Sequence, residues 1–74
     1  MKAIVIGLGV QGIKRKRHLK NDYIYSVDKF KKADFKTVKN VPINTYDTAY
    51  ICAPDNQKLS IIKYCLDNKK NVLV

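Results

Sequence analysis

The sequence predicts an α/β domain in three layers, with a parallel sheet between two layers of helix. Three observations predict it. Short runs rich in apolar, β-branched or aromatic residues, at 2–6, Tyr23–Val27, Thr48–Ala53 and Val72–Val74, have the length and composition of buried strands. Two longer stretches, Val10–Lys20 and Gln57–Asn68, are patterned for helix and lie between those runs. Strand runs alternating with helical stretches are the mark of βαβ units, whose crossover helices keep neighbouring strands parallel.

Composition sets the bounds. The chain has 74 residues, enough for one domain, 1–74, with a small core. A hydrophobic share of 46% is that of a globular chain and argues against disorder. No apolar run approaches the ~18 residues of a membrane span, and the N-terminus lacks a signal-peptide layout, so the expectation is a cytoplasmic protein with no membrane partner. Cys52 and Cys65 form no C-x-x-C pair and His18 is the only histidine, so no metal site is expected. Both cysteines sit in apolar patterns and are expected as buried free thiols. The net charge of +9 raises a polyanion as a partner. The basic run Lys14-Arg15-Lys16-Arg17-His18 carries no interleaved aromatics to stack bases, however, and a lysine-rich surface is preferred to a nucleic-acid module.

The elements follow in order. Residues 2–6 are an apolar strand ending at Gly7. A helix from Val10 to about Lys20 should turn Val10, Ile13 and Leu19 inward, and Asn21-Asp22 ends it. Tyr23–Val27 is the second strand, with Asp28 at its carboxyl end. Between Lys29 and Asp47 at most one helical turn fits, around Lys31–Asp34, so a loop replaces the crossover helix. Phe35–Val41 alternates weakly and suggests a short edge strand, broken by Pro42 and Asn44. Thr48–Ala53 is a central strand closed by Pro54, and Asp55 or Asn56 can cap the next helix. That helix, Gln57–Asn68, places Leu59, Ile62 and Leu66 on one face, widened by Ile61 and Cys65. After a turn at Asn68–Asn71, Val72–Val74 opens a last strand. The expected sheet therefore has about five strands in the order 3-2-1-4-5, stopping just inside the fifth. That stop suggests a fragment of a longer protein, or a minimal domain completed by a partner, with exposed apolar surface and self-association as consequences.

The chemistry concentrates at Gly7-Leu8-Gly9-Val10-Gln11-Gly12. The spacing is G-x-G-x-x-G, between a strand and a helix, and Asp28 follows Gly7 by 21 positions. This is the fingerprint of a Rossmann-type dinucleotide site. Gly7 allows the tight turn, Gly9 lets backbone approach a pyrophosphate, and Gly12 lets the helix pack on the strand. Backbone N–H groups from Leu8 to Gln11, at the positive helix end, would hold the phosphates. Asp28 would accept hydrogen bonds from the adenosine ribose, which favours NAD. Lys29, with Lys31 and Lys32, could instead meet a 2′-phosphate, so NADP stays open. The strand end Cys52-Ala53-Pro54-Asp55 should border the nicotinamide half.

Those glycines, together with Ala49–Val74, resemble a known family. Ile51-Cys52-Ala53-Pro54-Asp55-Asn56-Gln57-Lys58, a helix, then Lys69-Lys70-Asn71-Val72-Leu73-Val74 is similar to the I-A-T-P-N-x-x-H, helix, G-K-H-V-L-V-E-K-P pattern of the Gfo/Idh/MocA oxidoreductases. That family comprises glucose–fructose oxidoreductase, inositol dehydrogenase and rhizopine-catabolism enzymes, and the likeness covers only their N-terminal NAD(P)-binding domain. The chain departs from the pattern with Asp55 for asparagine, Lys58 for histidine and Lys69 for glycine. It also ends before the E-K-P whose lysine serves the family's active site. The resemblance implies a parent enzyme that transfers hydride between a nicotinamide cofactor and a sugar, sugar derivative or cyclitol, with a homo-oligomer as a further expectation. No catalytic residue is assigned to this chain, which is expected to bind the dinucleotide without turnover. A non-catalytic nucleotide-sensing domain or a basic nucleic-acid module is the alternative.

Overall fold

The computed structural model describes residues 1–74 and contains four parallel strands and two α-helices. β1 is Ala3–Ile6, β2 Tyr23–Val27, β3 Thr48–Ile51 and β4 Asn71–Leu73; α1 is Val10–Leu19 and α2 Asp55–Asp67. Across the sheet the order is β2-β1-β3-β4, every neighbouring pair parallel. No helix is long and apolar enough to cross a membrane.

β1 is an uninterrupted apolar run because both of its faces are covered. Alternate side chains point to opposite sides of a strand. Ala3 and Val5 accordingly pack with Leu8 and with Leu19 of α1, while Ile4 and Ile6 pack with Ala49, Ile51 and Cys65 of α2. The helices therefore lie on opposite faces, as the three-layer expectation requires.

The expected fifth strand does not form. Phe35–Val41 makes one isolated parallel bridge, Val27 to Phe35, and then a 3-10 turn at Val38–Asn40. Asp34 explains the shortness of that pairing. Its carboxylate accepts from the Ser26 N–H at 2.9 Å and from the Ser26 hydroxyl at 3.3 Å, clipping the loop to the edge of β2 at a single point. Val38 and Val41 then turn into the core instead of extending along the sheet. As expected, a loop replaces the crossover helix between β2 and β3; no helical turn forms at Lys31–Asp34, and the loop instead carries two 3-10 turns, Val38–Asn40 and Ile43–Thr45. The strands that do form keep the expected relative order, and the last one pairs with β3 along its whole length.

Helix faces are rotated from their expected settings. In α1, Gly12 and Leu19 are buried, at the i, i+7 spacing of one face, whereas Val10 is 74% exposed and Ile13 is exposed. Gly12 lets the helix backbone sit directly on the turn after β1, which swings Val10 and Ile13 off the contact line. In α2 the contact runs through Ile61, Ile62 and the fully buried Cys65, leaving Leu59 81% exposed and Leu66 also outside. The helix starts at Asp55, before the expected Gln57, and Pro54 occupies the cap position without a side-chain cap from Asp55 or Asn56. Of the two free thiols only Cys65 is buried; Cys52 is half-buried.

α2 ends in a left-handed turn. Lys70 N–H donates to the Cys65 carbonyl and Lys69 N–H to the Leu66 carbonyl, both at 2.9 Å, a Schellman arrangement with Lys69 at φ +61°. Side chains resist that conformation by about 1 kcal/mol relative to glycine. Lys69→Gly should therefore raise stability by about 1 kcal/mol, seen as a higher urea midpoint at unchanged slope.

Tyr46 is a second local cost. It is 3% exposed and its hydroxyl has no hydrogen-bond partner. Burial, assisted by the nearby Cys65 and Tyr64, pushes its pKa up to about 12 from an ordinary 10.0. The folded state thus holds this proton through a range in which the unfolded chain releases it, and stability is lost as pH rises from about 10 to 12. Tyr46→Phe removes an unpaired buried hydroxyl and should be neutral to about 1 kcal/mol stabilising near pH 7. Its stability should also fall less than that of the wild type between pH 9 and 11, as measured by denaturant titrations at both pH values.

Candidate functional site

The carboxyl ends of β1, β2 and β3 meet at one edge of the sheet, where the chain runs from β1 to β2 on one side and to β3 on the other. Open α/β sheets bind ligands at such a reversal of strand order. The residues after these strands surround a cleft of about 820 Å³, within the roughly 300–1,000 Å³ usual for small-molecule sites. Gly7, Leu8 and Gly9 line it from the end of β1, Asp28 and Lys29 from β2, and Cys52, Ala53 and Pro54 from β3. The other predicted positions, Val10, Gln11, Gly12 and Asp55, do not line it. Val10 and Gln11 are exposed in the first turn of α1, and Gly12 is buried beneath the turn. Asp55 is exposed at the start of α2, where Lys58 approaches it at 3.5 Å.

The three glycines differ in what the protein itself asks of them. Gly7 has φ +96°, and a Cβ there would lie 2.8 Å from the backbone of Cys52 and Ala53. At Gly12 a Cβ would fall 1.7 Å from the Gly7 carbonyl oxygen. Both positions exclude side chains on internal grounds. Gly9 does not: a Cβ there meets nothing within 4 Å, and its φ of −71° suits any residue. As N-cap of α1 it offers no capping side chain, and the first turn of the helix carries no acidic residue. The first N–H groups of a helix lack intrahelical partners, so α1 presents donors and a partial positive charge at the edge of the cleft.

Asp28 is not simply a free acceptor at the end of β2. Its Oδ2 accepts the Leu8 N–H at 2.7 Å, and its Oδ1 accepts the N–H groups of Phe30 at 2.9 Å and Lys31 at 2.8 Å. Leu8 therefore does not have the free N–H expected for phosphate binding. Burial raises the carboxyl pKa, but the three backbone bonds and the charge of Lys31 outweigh it and leave the pKa below its ordinary 3.8. The stabilisation from this clip is fully present above that ordinary value and is lost only as pH falls through the lowered one. Two oxygens offer about four lone-pair positions, so roughly one, on Oδ2, remains for a ligand hydroxyl.

Sequence reasoning placed Lys31 near the site but missed Phe30 and the far wall of the cleft. Lys31 reaches back over the glycine turn, its Nζ donating to the Leu8 carbonyl at 3.1 Å. Phe30 lines the cleft at 79% exposure, with Lys29 Nζ 5.6 Å from its ring centre. An exposed phenylalanine two residues after the β2 aspartate was the legible signal. Gln57, Ser60 and Ile61 of α2, with Lys36, Thr37 and Val38, form the far wall. Their part depends on how α2 and the 35–41 loop pack, which local pattern does not specify. Cys52 is at the floor; burial pushes its thiol up in pKa, partly opposed by Arg15 and Lys58, so it is a protonated wall residue at neutral pH.

Comparison of the chain with protein-family models, with curated proteins and with solved structures finds no match.

The contrast between the glycines is directly testable. Gly12→Ala should cost about 3 kcal/mol or more, because helix and turn must separate to admit the methyl group. Gly9→Ala should change stability by no more than about 1 kcal/mol, the range of a cap exchange. Thermal and denaturant unfolding of the two variants beside the wild type measures both.

Proposed function

We propose that the chain is a Rossmann-type domain that binds a nicotinamide dinucleotide in the cleft at the carboxyl edge of its sheet. The observation that carries this reading is Gly9. Nothing inside the protein requires glycine there, yet the position faces the open end of α1, where a Cβ would occupy the path of a pyrophosphate approaching the helix N–H groups. Asp28 supports it with one acceptor position left for a ribose hydroxyl. Phe30 supports it as a largely exposed aromatic ring beside that carboxylate, suited to the adenine ring. The Cys52–Pro54 strand end and the wall of α2 would take the nicotinamide half.

In a parent enzyme of the Gfo/Idh/MocA type, the bound dinucleotide would exchange hydride with a sugar, sugar derivative or cyclitol. These 74 residues would supply the binding and orientation of the cofactor. A second reading has one observation in its favour. Lys14, Arg15, Lys16 and Arg17 are exposed along α1 and pair with no carboxylate, a surface that could meet a polyanion.

Calorimetric titration separates these readings. The wild type should bind NADH or NADPH, and Gly9→Ala should weaken that binding tenfold or more while the fold persists. Equal affinity in the two folded proteins would remove phosphate from the glycine turn. Binding to RNA or DNA that depends on salt and is indifferent to dinucleotide would favour the polyanion surface.

A further inference from the structure

A second depression adjoins the cleft on the α1 side of the sheet. It encloses about 500 Å³ and is lined by Leu8, Ile13, Tyr23 and four cations: Lys16 and Arg17 from α1, and Lys31 and Lys32 from the loop after β2. Leu8 and Lys31 line both this depression and the main cleft. The two spaces therefore meet beside Asp28, at the end of β2.

None of the four cations forms a salt bridge with a carboxylate. The ion pairs of the chain are the N-terminus with Asp22, Lys58 with Asp55 and Lys63 with Asp67. The carboxylates nearest in the chain to Lys31 and Lys32 are already engaged, Asp28 by three backbone N–H groups and Asp34 by Ser26 and Tyr23. Lys31 is fixed by its bond to the Leu8 carbonyl, and Lys16 Nζ lies 5.1 Å from the Tyr23 ring centre. Like charges converging on one concavity repel each other, and a multivalent anion there would relieve the repulsion and accept their hydrogen bonds.

On the reading that the main cleft holds the dinucleotide, the geometry points to a phosphate subsite that selects the 2′-phosphorylated cofactor, NADP, over NAD. A ribose hydrogen-bonded to Asp28 would sit where the two spaces join. A phosphate monoester on that ribose, carrying between one and two negative charges at neutral pH, would extend toward Lys16, Arg17, Lys31 and Lys32. The aspartate that marks an NAD site in sequence stays ionised here, but its single negative charge is outnumbered by the four cations of the adjoining depression.

The test titrates NADPH and NADH into the wild type and into the double variant Lys16→Ala/Arg17→Ala. Both substitutions are on the exposed face of α1 and keep helix-forming residues. The wild type should bind NADPH about tenfold or more tightly than NADH at low salt, with the ratio shrinking as salt rises. The double variant should lose most of that ratio through weaker NADPH binding, with NADH affinity unchanged. Equal affinities in the wild type, or a ratio that survives the double substitution, would overturn the subsite and leave the dinucleotide cleft standing. Failure of both nucleotides to bind the wild type would overturn the cleft and the subsite together.

Discussion

The contact on which the rest of the structure depends is the seating of α1 on the Gly7 carbonyl. The helix approaches so closely that residue 12 has no room for a Cβ, and Gly7 itself turns through a positive φ against the backbone of Cys52 and Ala53. The same turn is tied sideways. Gly7 N–H donates to the Val27 carbonyl and Cys52 N–H to the Ile6 carbonyl, each at 2.7 Å. The ends of β1, β2 and β3 are thus joined directly by main-chain contacts. In a chain with a small core, this fixes the floor of the cleft without relying on side-chain packing, and a ligand would meet a surface already ordered.

Asp28 extends that order to the loop beyond β2. One carboxylate holds the glycine turn through Leu8 and the following loop through Phe30 and Lys31. Lys31 returns the connection by bonding the Leu8 carbonyl. The strand-end aspartate therefore acts first on the protein and keeps only about one acceptor position free. Asp34 does similar work for the lost edge strand, clipping the loop at Ser26 so that Phe35 can pack edge-on against Tyr25, with ring centres 5.1 Å apart. Two carboxylates thus replace what a crossover helix and a fifth strand would have supplied.

Much of the domain was legible in the chain because its signals are local. Apolar runs marked β1, β2 and β3, helical spacing marked α1 and α2, and the glycine spacing located the cleft. The errors have a common cause. Which face of α1 turns inward depends on Gly12, whose effect comes from a missing atom and not from hydrophobicity, so counting apolar residues wrongly put Val10 and Ile13 inside. In α2 the buried line passes through Cys65, small enough to lie flush on the sheet, and not through the larger leucines 59 and 66. Phe35–Val41 alternates like a strand, but its valines turn into the core after one bridge, an outcome decided by the distant Asp34–Ser26 clip. At the cleft, Gly7, Asp28, Lys31 and the Cys52–Pro54 strand end could be found by position, whereas Phe30 and the wall of α2 come together only through tertiary packing.

The ionisable groups of the cleft bear on what kind of chemistry it suits. A general acid or base works best with a pKa near the working pH and a free position from which to move its proton. Asp28 is displaced the wrong way, held ionised by backbone N–H groups that use most of its lone pairs. Cys52 is displaced the other way, kept as the thiol by burial. Both shifts lead away from proton transfer at neutral pH and toward fixed polarity: an anchored acceptor at one point, lysines around it, and helix N–H donors beside an unobstructed Gly9. Such a set of groups is suited to gripping an anionic, hydroxyl-bearing ligand in one orientation.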